Sequence, residues 1–295
     1  MSFGLLGIGE VLWDLLPSGP QLGGAPANFA FHARALGAAA GVISRVGRDQ
    51  NGDRIRERFA AAGFRLGDLQ VDDAVPTGTV TVALGAAGIP EYTIHENVAW
   101  DRLAVTSAAR SGVENLDAIC FGSLGQRTPV ARLAIQTLVA ATSLRAWRIF
   151  DINLRQHYFS RSVIEDSLKL ANVLKLNDAE LPVLAGMFRL AGSPAEQIAT
   201  LGLQFDLRVV ALTRGPAGSL LWREGEFADC PSAPVEVVDT VGAGDAFTAA
   251  LVMGLLRNLQ LAEINAGANE VARFVCSQAG ATPSLPSALA RRYAD

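Results

Sequence analysis

Short apolar runs alternate with helical patterns along most of this chain, and that alternation limits the fold more than any other feature. Residues 5–13, 41–46, 118–122, 147–152, 173–176 and 209–213 are apolar enough to be buried strands, and most are followed by a stretch of helical character. Strands without polar alternation have both faces covered, and the strand–helix–strand order demands crossover connections. The expected fold is therefore α/β, a central, mostly parallel sheet with helices on both faces. Residues 76–100 depart from this pattern. Their period of two, interrupted by the turn Gly85-Ala86-Ala87-Gly88-Ile89-Pro90, predicts a hairpin with one polar face, placed where it can close over a site on the main sheet.

Composition bounds the rest. With 295 residues, 50% hydrophobic content and 29 glycines, the chain can bury a large core in one α/β domain spanning residues 1–295, with a small β appendage and no second full-sized domain. A net charge of −4 and a pI near 5.5 argue against a general nucleic-acid or membrane-surface binder, which needs a basic face, and favour a small-molecule enzyme. The three cysteines, Cys120, Cys230 and Cys276, are far apart in apolar segments. They suggest buried thiols in a reducing cytoplasm and neither a disulfide framework nor a metal site. The apolar stretch at residues 5–9 is interrupted by Glu10 and Asp14, which suits a first strand and neither a signal peptide nor a membrane span.

Several familiar chemistries fail on residue identity. The only lysines, Lys169 and Lys175, each follow a leucine, so no Walker A loop ending in Gly-Lys-Ser/Thr exists. Gly7-Ile8-Gly9 is followed by Leu12 where a dinucleotide fingerprint needs its third glycine, which argues against a Rossmann-type oxidoreductase. His32, His95 and His157 lack metal-binding spacing, and each has a structural or solvent-exposed reading. No G-x-S-x-G elbow is present.

Two glycine-rich helix starts remain. Asp239-Thr-Val-Gly242-Ala243-Gly244-Asp245 precedes a run with helical apolar spacing, so its glycines form the turn at a helix N-terminus. Unpaired N–H groups and the positive helix end can hold phosphate, with Asp245 facing the attacking hydroxyl. Alone, the same stretch reads first as a glycine turn with Asp245 as a helix cap. Near the other end, Gly23-Gly24-Ala-Pro26-Ala-Asn28 opens a second helix. Asn28 with Asp14 offers donors and acceptors suited to a polyhydroxylated ligand.

These two stretches resemble the paired signatures of the ribokinase-like, or PfkB-type, carbohydrate kinases. The likeness runs almost end to end in order and spacing, through Glu10-Val-Leu-Trp-Asp14 with Pro17, Asp151-Ile-Asn153-Leu-Arg155, Asn177-Asp-Ala-Glu180, Leu212-Thr213-Arg-Gly215-Pro-Ala-Gly218, and Ala268-Asn269 with Gly280 to Ser284. The resemblance implies a ribokinase-like fold with β lid elements around residues 14–22 and 76–100. It implies that Asp245 is the general base and that the N–H groups of Gly242, Ala243 and Gly244 form an anion hole for the γ-phosphate of ATP. Asp14, Gly23, Gly24 and Asn28, with Asn153 and Arg155, would bind the sugar. Asn177 and Glu180 would form the N-x-x-E motif at the nucleotide, with the Glu180 carboxylate organising Mg²⁺ through water, while Thr213, Gly215, Gly218 and Asn269 would line the nucleotide channel. Asp239 and Ser284 match positions that hold a monovalent cation such as K⁺ in many relatives. The Glu10-to-Asp14 opening and the Asp-Ile-Asn-Leu-Arg segment look most like the fructokinase branch. A 2-keto-3-deoxygluconate kinase is the alternative, and a protein that only binds sugar would not require an intact Asp245. Gln126 stands near a sugar-binding glutamate of some relatives, and lids in this family often pair subunits, so a cytoplasmic homodimer is expected.

Overall fold

The computed structural model describes residues 2–16, 19–84 and 90–293; Pro17 and the expected turn at residues 85–89 lie outside the described residues. The chain opens with β1 (Gly4–Ile8), β2 (Leu12–Leu16), β3 (Gly19–Gly23), α1 (Ala25–Ala35), β4 (Ala39–Gly47), α2 (Gln50–Ala61) and β5 (Leu69–Asp72). Next come β6 (Gly78–Leu84), β7 (Pro90–Ile94), α3 (Ser107–Val113), β8 (Ala118–Phe121), α4 (Pro129–Ala140), β9 (Trp147–Asp151) and α5 (Arg161–Leu170). The remainder is β10 (Val173–Asn177), α6 (Leu181–Phe188), α7 (Pro194–Gln204), β11 (Val209–Thr213), β12 (Ser219–Arg223), β13 (Glu226–Cys230), α8 (Ala243–Leu256), α9 (Leu261–Cys276) and α10 (Ser287–Arg291).

Nine strands build the main sheet in the order β13-β12-β11-β10-β9-β8-β1-β4-β5. The strands from β11 to β5 run parallel, and β12 and β13 add an antiparallel edge. Chain order reverses between β1 and β8, so the crevice at the carboxyl ends of these strands is where an open α/β sheet receives ligands. Two buried apolar clusters cover the two faces of the sheet, as its near-continuous apolar strands require.

The expected single strand over residues 5–13 is instead two. β1 pairs with β4 and β8 only as far as Ile8, and beyond Gly9–Val11 the chain leaves the main sheet. β2 then joins a second, four-stranded sheet in the order β3-β2-β6-β7. The period-two segment supplies β6 and β7 as an antiparallel pair with Val80 opposite Ile94, and β6 also lies parallel to β2. Leu12, Val80 and Ile94 pack with Val98, Trp100 and Leu124 into a third apolar cluster beneath this sheet.

Between α1 and α2, Phe31, Phe59 and Phe64 meet edge to face, with ring centroids 4.7 to 5.9 Å apart. Phe59 is fully buried. Replacing Phe59 by Ala should cost about 3–5 kcal/mol of stability, measured by urea unfolding, because a ring-sized void opens where the neighbours cannot collapse. A loss below about 1 kcal/mol would show that the trio is loosely packed.

Candidate active site

Helix α8 fixes the centre of the site. Every residue from Ala246 to Leu255 is buried, so the helix has no solvent face and lies against α1 and α9. Its N-cap is Gly242, at φ 78°, and no side chain caps the helix. A Cβ on Gly242 would stand 2.2 Å from the carbonyl oxygen of Ala281, so only glycine fits this turn. The helix-cap reading of Asp245 therefore fails. Its Oδ2 instead accepts a 2.8 Å hydrogen bond from Asn28 Nδ2, in the first turn of α1.

The two glycine-rich helix starts thus meet around one carboxylate. The N–H of Ala243 is turned to Thr240 O at 3.3 Å, whereas those of Gly244 and Asp245 make no hydrogen bond within the described residues. In this conformation the helix end offers an anion the donors of Gly244 and Asp245 more directly than that of Ala243. Asp239 braces the approach, its Oδ1 accepting from Val241 N (3.0 Å) and its Oδ2 from Gly280 N (3.1 Å). Ser284 is exposed at the end of the same loop. His32 holds that loop to α1 by donating from Nε2 to Ala281 O at 2.9 Å. Burial lowers its pKa to about 4, so it is a neutral structural residue.

Asp14 lies on β2, facing Gly23 on the neighbouring strand. A Cβ on Gly23 would stand 2.3 Å from Asp14 Oδ2, so the glycine makes room for the carboxylate. Gly24 is the N-cap of α1, and Asn28 is buried one turn later. Between β1 and β2 the structure adds a residue that sequence reasoning did not place in the site. Glu10 is 2% exposed, and its Oε2 has no partner among the described residues. A carboxylate between two apolar strands was the available signal.

The carboxylates share one electrostatic environment. Burial raises the pKa of Asp245 to about 7, and the charge of Asp151 adds to the rise; Asn28, Lys175 and Arg155 oppose it. Burial likewise raises Glu10 to about 7, with Asp245 contributing, and Asp14 to about 6. Arg155, exposed after β9, opposes the rise at all three. Just before it, Asn153 adopts φ 42°, which turns the chain at the sheet edge.

On the other side, Glu180 is a buried clamp, accepting from Leu154 N at 2.9 Å and Asn177 N at 2.8 Å. Asn177 Oδ1 accepts from the amides of Ala179 and Glu180, both at 2.9 Å. Among the described residues no cluster of three or more His, Cys, Asp or Glu side chains could enclose a metal ion. The donor set fits a cation that takes most of its ligands from phosphate and water, as Mg²⁺ does. Thr213 ends β11, and Gly215 and Gly218 bracket the short turn after it. Asn269 donates to Ser219 Oγ at 2.5 Å and to Asn265 O at 2.9 Å, which orients it beside this turn.

Other expectations change. Gln126 is buried and points into the body, donating to Gly122 O and Ser167 Oγ, so it does not face the sugar side. Only Cys120 is buried, since Cys230 and Cys276 are partly exposed at the ends of β13 and α9. The histidines keep the expected roles: His95 makes an exposed contact with Thr81 on the small sheet, and the exposed His157 packs at a tilt against Tyr158.

A family model described as pfkB family carbohydrate kinase matches residues 20–288. The chain belongs to this family. An uncharacterised sugar kinase of Pyrococcus horikoshii is 29% identical over 302 residues, covering 95% of this chain and 93% of that one. Its structure in complex with ATP aligns with a TM-score of 0.80 over 98% of this chain and 99% of that one. A fructokinase of Klebsiella pneumoniae is 30% identical over 268 residues, 84% of this chain and 83% of its own. A ribokinase II of Escherichia coli, solved with ATP and Mg²⁺, gives a TM-score of 0.85 at 22% identity, covering 99% of this chain and all of its own, which establishes the ribokinase-like fold. Among the described residues of this carbohydrate kinase, no helix is long and apolar enough to cross a membrane.

A carboxylate acting as general base must be deprotonated, so if Asp245 serves as the base, its pKa, raised to about 7, sets the pH profile. The kcat/KM of this kinase should therefore rise about tenfold per pH unit below pH 7 and level off above it. A flat profile from pH 5.5 to 8 would remove Asp245 as the titrating base. Stability carries the opposite sign: an acid whose folded pKa is raised makes folding less favourable as pH climbs from its unfolded value near 4 towards 7.

Proposed function

We propose that this kinase transfers the γ-phosphoryl group of ATP to a hydroxyl of a free sugar, with D-fructose, giving fructose 6-phosphate, the leading substrate. The observation that carries the reading is the Asn28–Asp245 hydrogen bond, which brings the sugar-side helix start against the phosphate-side one. Asp245 takes the hydroxyl proton as the sugar oxygen bonds to the γ-phosphorus. The bond from that phosphorus to the bridging oxygen breaks, and ADP leaves with the electron pair. The N–H groups of Gly242, Ala243 and Gly244 at the start of α8 receive the developing charge, Ala243 after release from Thr240. Asp14, Gly23, Gly24, Asn28, Asn153 and Arg155 hold the sugar, and Asn177, Thr213, Gly215, Gly218 and Asn269 line the nucleotide channel.

Mg²⁺, organised by Glu180 through water, would supply charge neutralisation on the triphosphate, and Asp239 with Ser284 would hold a monovalent cation such as K⁺. The Klebsiella fructokinase supports fructose. So does the pocket, because an anionic sugar acid would face Glu10, Asp14 and Asp245 together. Residues 1–295 act as one domain, with the small sheet as a lid that pairs two copies in a cytoplasmic homodimer.

A coupled assay of ADP release over a panel of hexoses, pentoses, sugar acids and nucleosides tests the reading. D-fructose should give the highest kcat/KM, and no release with any acceptor would overturn it. Losing a charged hydrogen-bond partner in a closed site weakens binding by about 2–3 kcal/mol. Asp14→Ala should thus lower kcat/KM for the sugar by about 30- to 150-fold with ATP affinity nearly unchanged. Unchanged sugar kinetics would place the sugar elsewhere.

A further inference from the structure

Lys175 stands on β10 directly opposite Asp151 on β9, and its Nζ lies 3.1 Å from Asp151 Oδ1. Its side chain is only 8% exposed. An ordinary reading makes this a cross-strand ion pair that neutralises a buried carboxylate. Three observations go further. A Cβ built on Gly244 would stand 2.9 Å from Lys175 Nζ. Since Cβ positions in a helix tilt towards its N-terminus, the ammonium lies on the side of Gly244 to which the unpaired N–H groups point. Asp151 takes one of the three ammonium protons, and no other acceptor among the described residues lies within hydrogen-bond distance. Finally, Asp151 is held from behind, its Oδ2 accepting from Thr248 Oγ1 at 2.8 Å one turn along α8. Thr248, Asp151 and Lys175 thus form a braced line that keeps the ammonium at the mouth of the helix.

Burial works against the charge on Lys175, but Asp151, Glu180 and Asp245 outweigh it and hold its pKa above the ordinary lysine value. The ammonium is charged throughout the working range of pH.

We infer that Lys175 is a phosphate-contacting catalytic residue, which places its ammonium against the terminal phosphoryl group of a nucleoside triphosphate seated on the N-terminus of α8. The inference rests on the proposed kinase reading and adds to it a positive group that no glycine-rich loop or metal provides. Arg155 faces the sugar-side carboxylates, whereas Lys175 stands on the opposite wall beneath Gly244.

The test compares affinities for ADP and for a non-hydrolysable ATP analogue by calorimetry in one Mg²⁺ buffer, without sugar. Lys175→Met alone strands Asp151, its hydrogen-bonded partner, in the interior, so the double variant Lys175→Met, Asp151→Asn carries the test; it removes both members of the ion pair together, and asparagine still accepts from Thr248. Expected is a loss of triphosphate affinity relative to ADP of about 10- to 100-fold, the scale of one hydrogen bond to a charged group. Lys175→Arg, which keeps both charge and ion pair, should retain more of the triphosphate preference than the double variant. A double variant whose ratio of the two affinities stays within threefold of wild type, or an Arg variant that loses as much as the double variant, would overturn the inference. Sugar-dependent ADP release by the wild-type protein is a separate measurement, so failure of the proposed function and failure of the Lys175 role are distinguishable.

Discussion

A single hydrogen bond, from Asn28 Nδ2 to Asp245 Oδ2, joins residues 217 positions apart in the chain, and the rest of the site is arranged to keep it. Asn28 is fixed because α1 is seated on the sheet with its first turn buried, and Asp245 because α8 has apolar residues on every side. Neither helix can rotate without breaking the close packing of its buried side chains. The carboxylate is consequently held in a crowded, poorly hydrated place, and burial rather than any one neighbour sets its basicity. One packing constraint yields both the position of this carboxylate and its raised pKa.

The same crowding explains why charged groups are concentrated at this edge. Lys175 and Arg155 are the cations that oppose the charges of Glu10, Asp14, Asp151, Glu180 and Asp245, two against five, so cations that arrive with a triphosphate meet a negative cleft. The structural carboxylates are quieted by backbone amides, as at Glu180 and Asp239, whereas Glu10 keeps an unpartnered oxygen.

Much of this was legible in the sequence. Apolar runs give the parallel strands because burial on both faces leaves a continuous signal, and period two gives β6 and β7 because one face of that pair is polar. Glycine pairs mark both helix starts because no other residue fits so close to backbone or carboxylate. What the sequence hid depends on partners distant in the chain. The break after Ile8 is set by where β4 and β8 stop pairing. Lys175 is set aside when only P-loop spacing is considered, yet its meaning comes from Gly244, on another element. Gln126 turns inward because Gly122 and Ser167 satisfy it there.

The most direct measurement is kcat for Asp245→Asn with ATP and D-fructose. Asparagine can still accept from Asn28, and the helix keeps its Gly242 cap, so stability should change by no more than about 1 kcal/mol and both substrates should still bind. The base is lost, and a positioned general base contributes about 10²–10⁴-fold, so kcat should fall at least about 10²-fold. A normally folded variant that turns over within a few-fold of wild type would contradict the account.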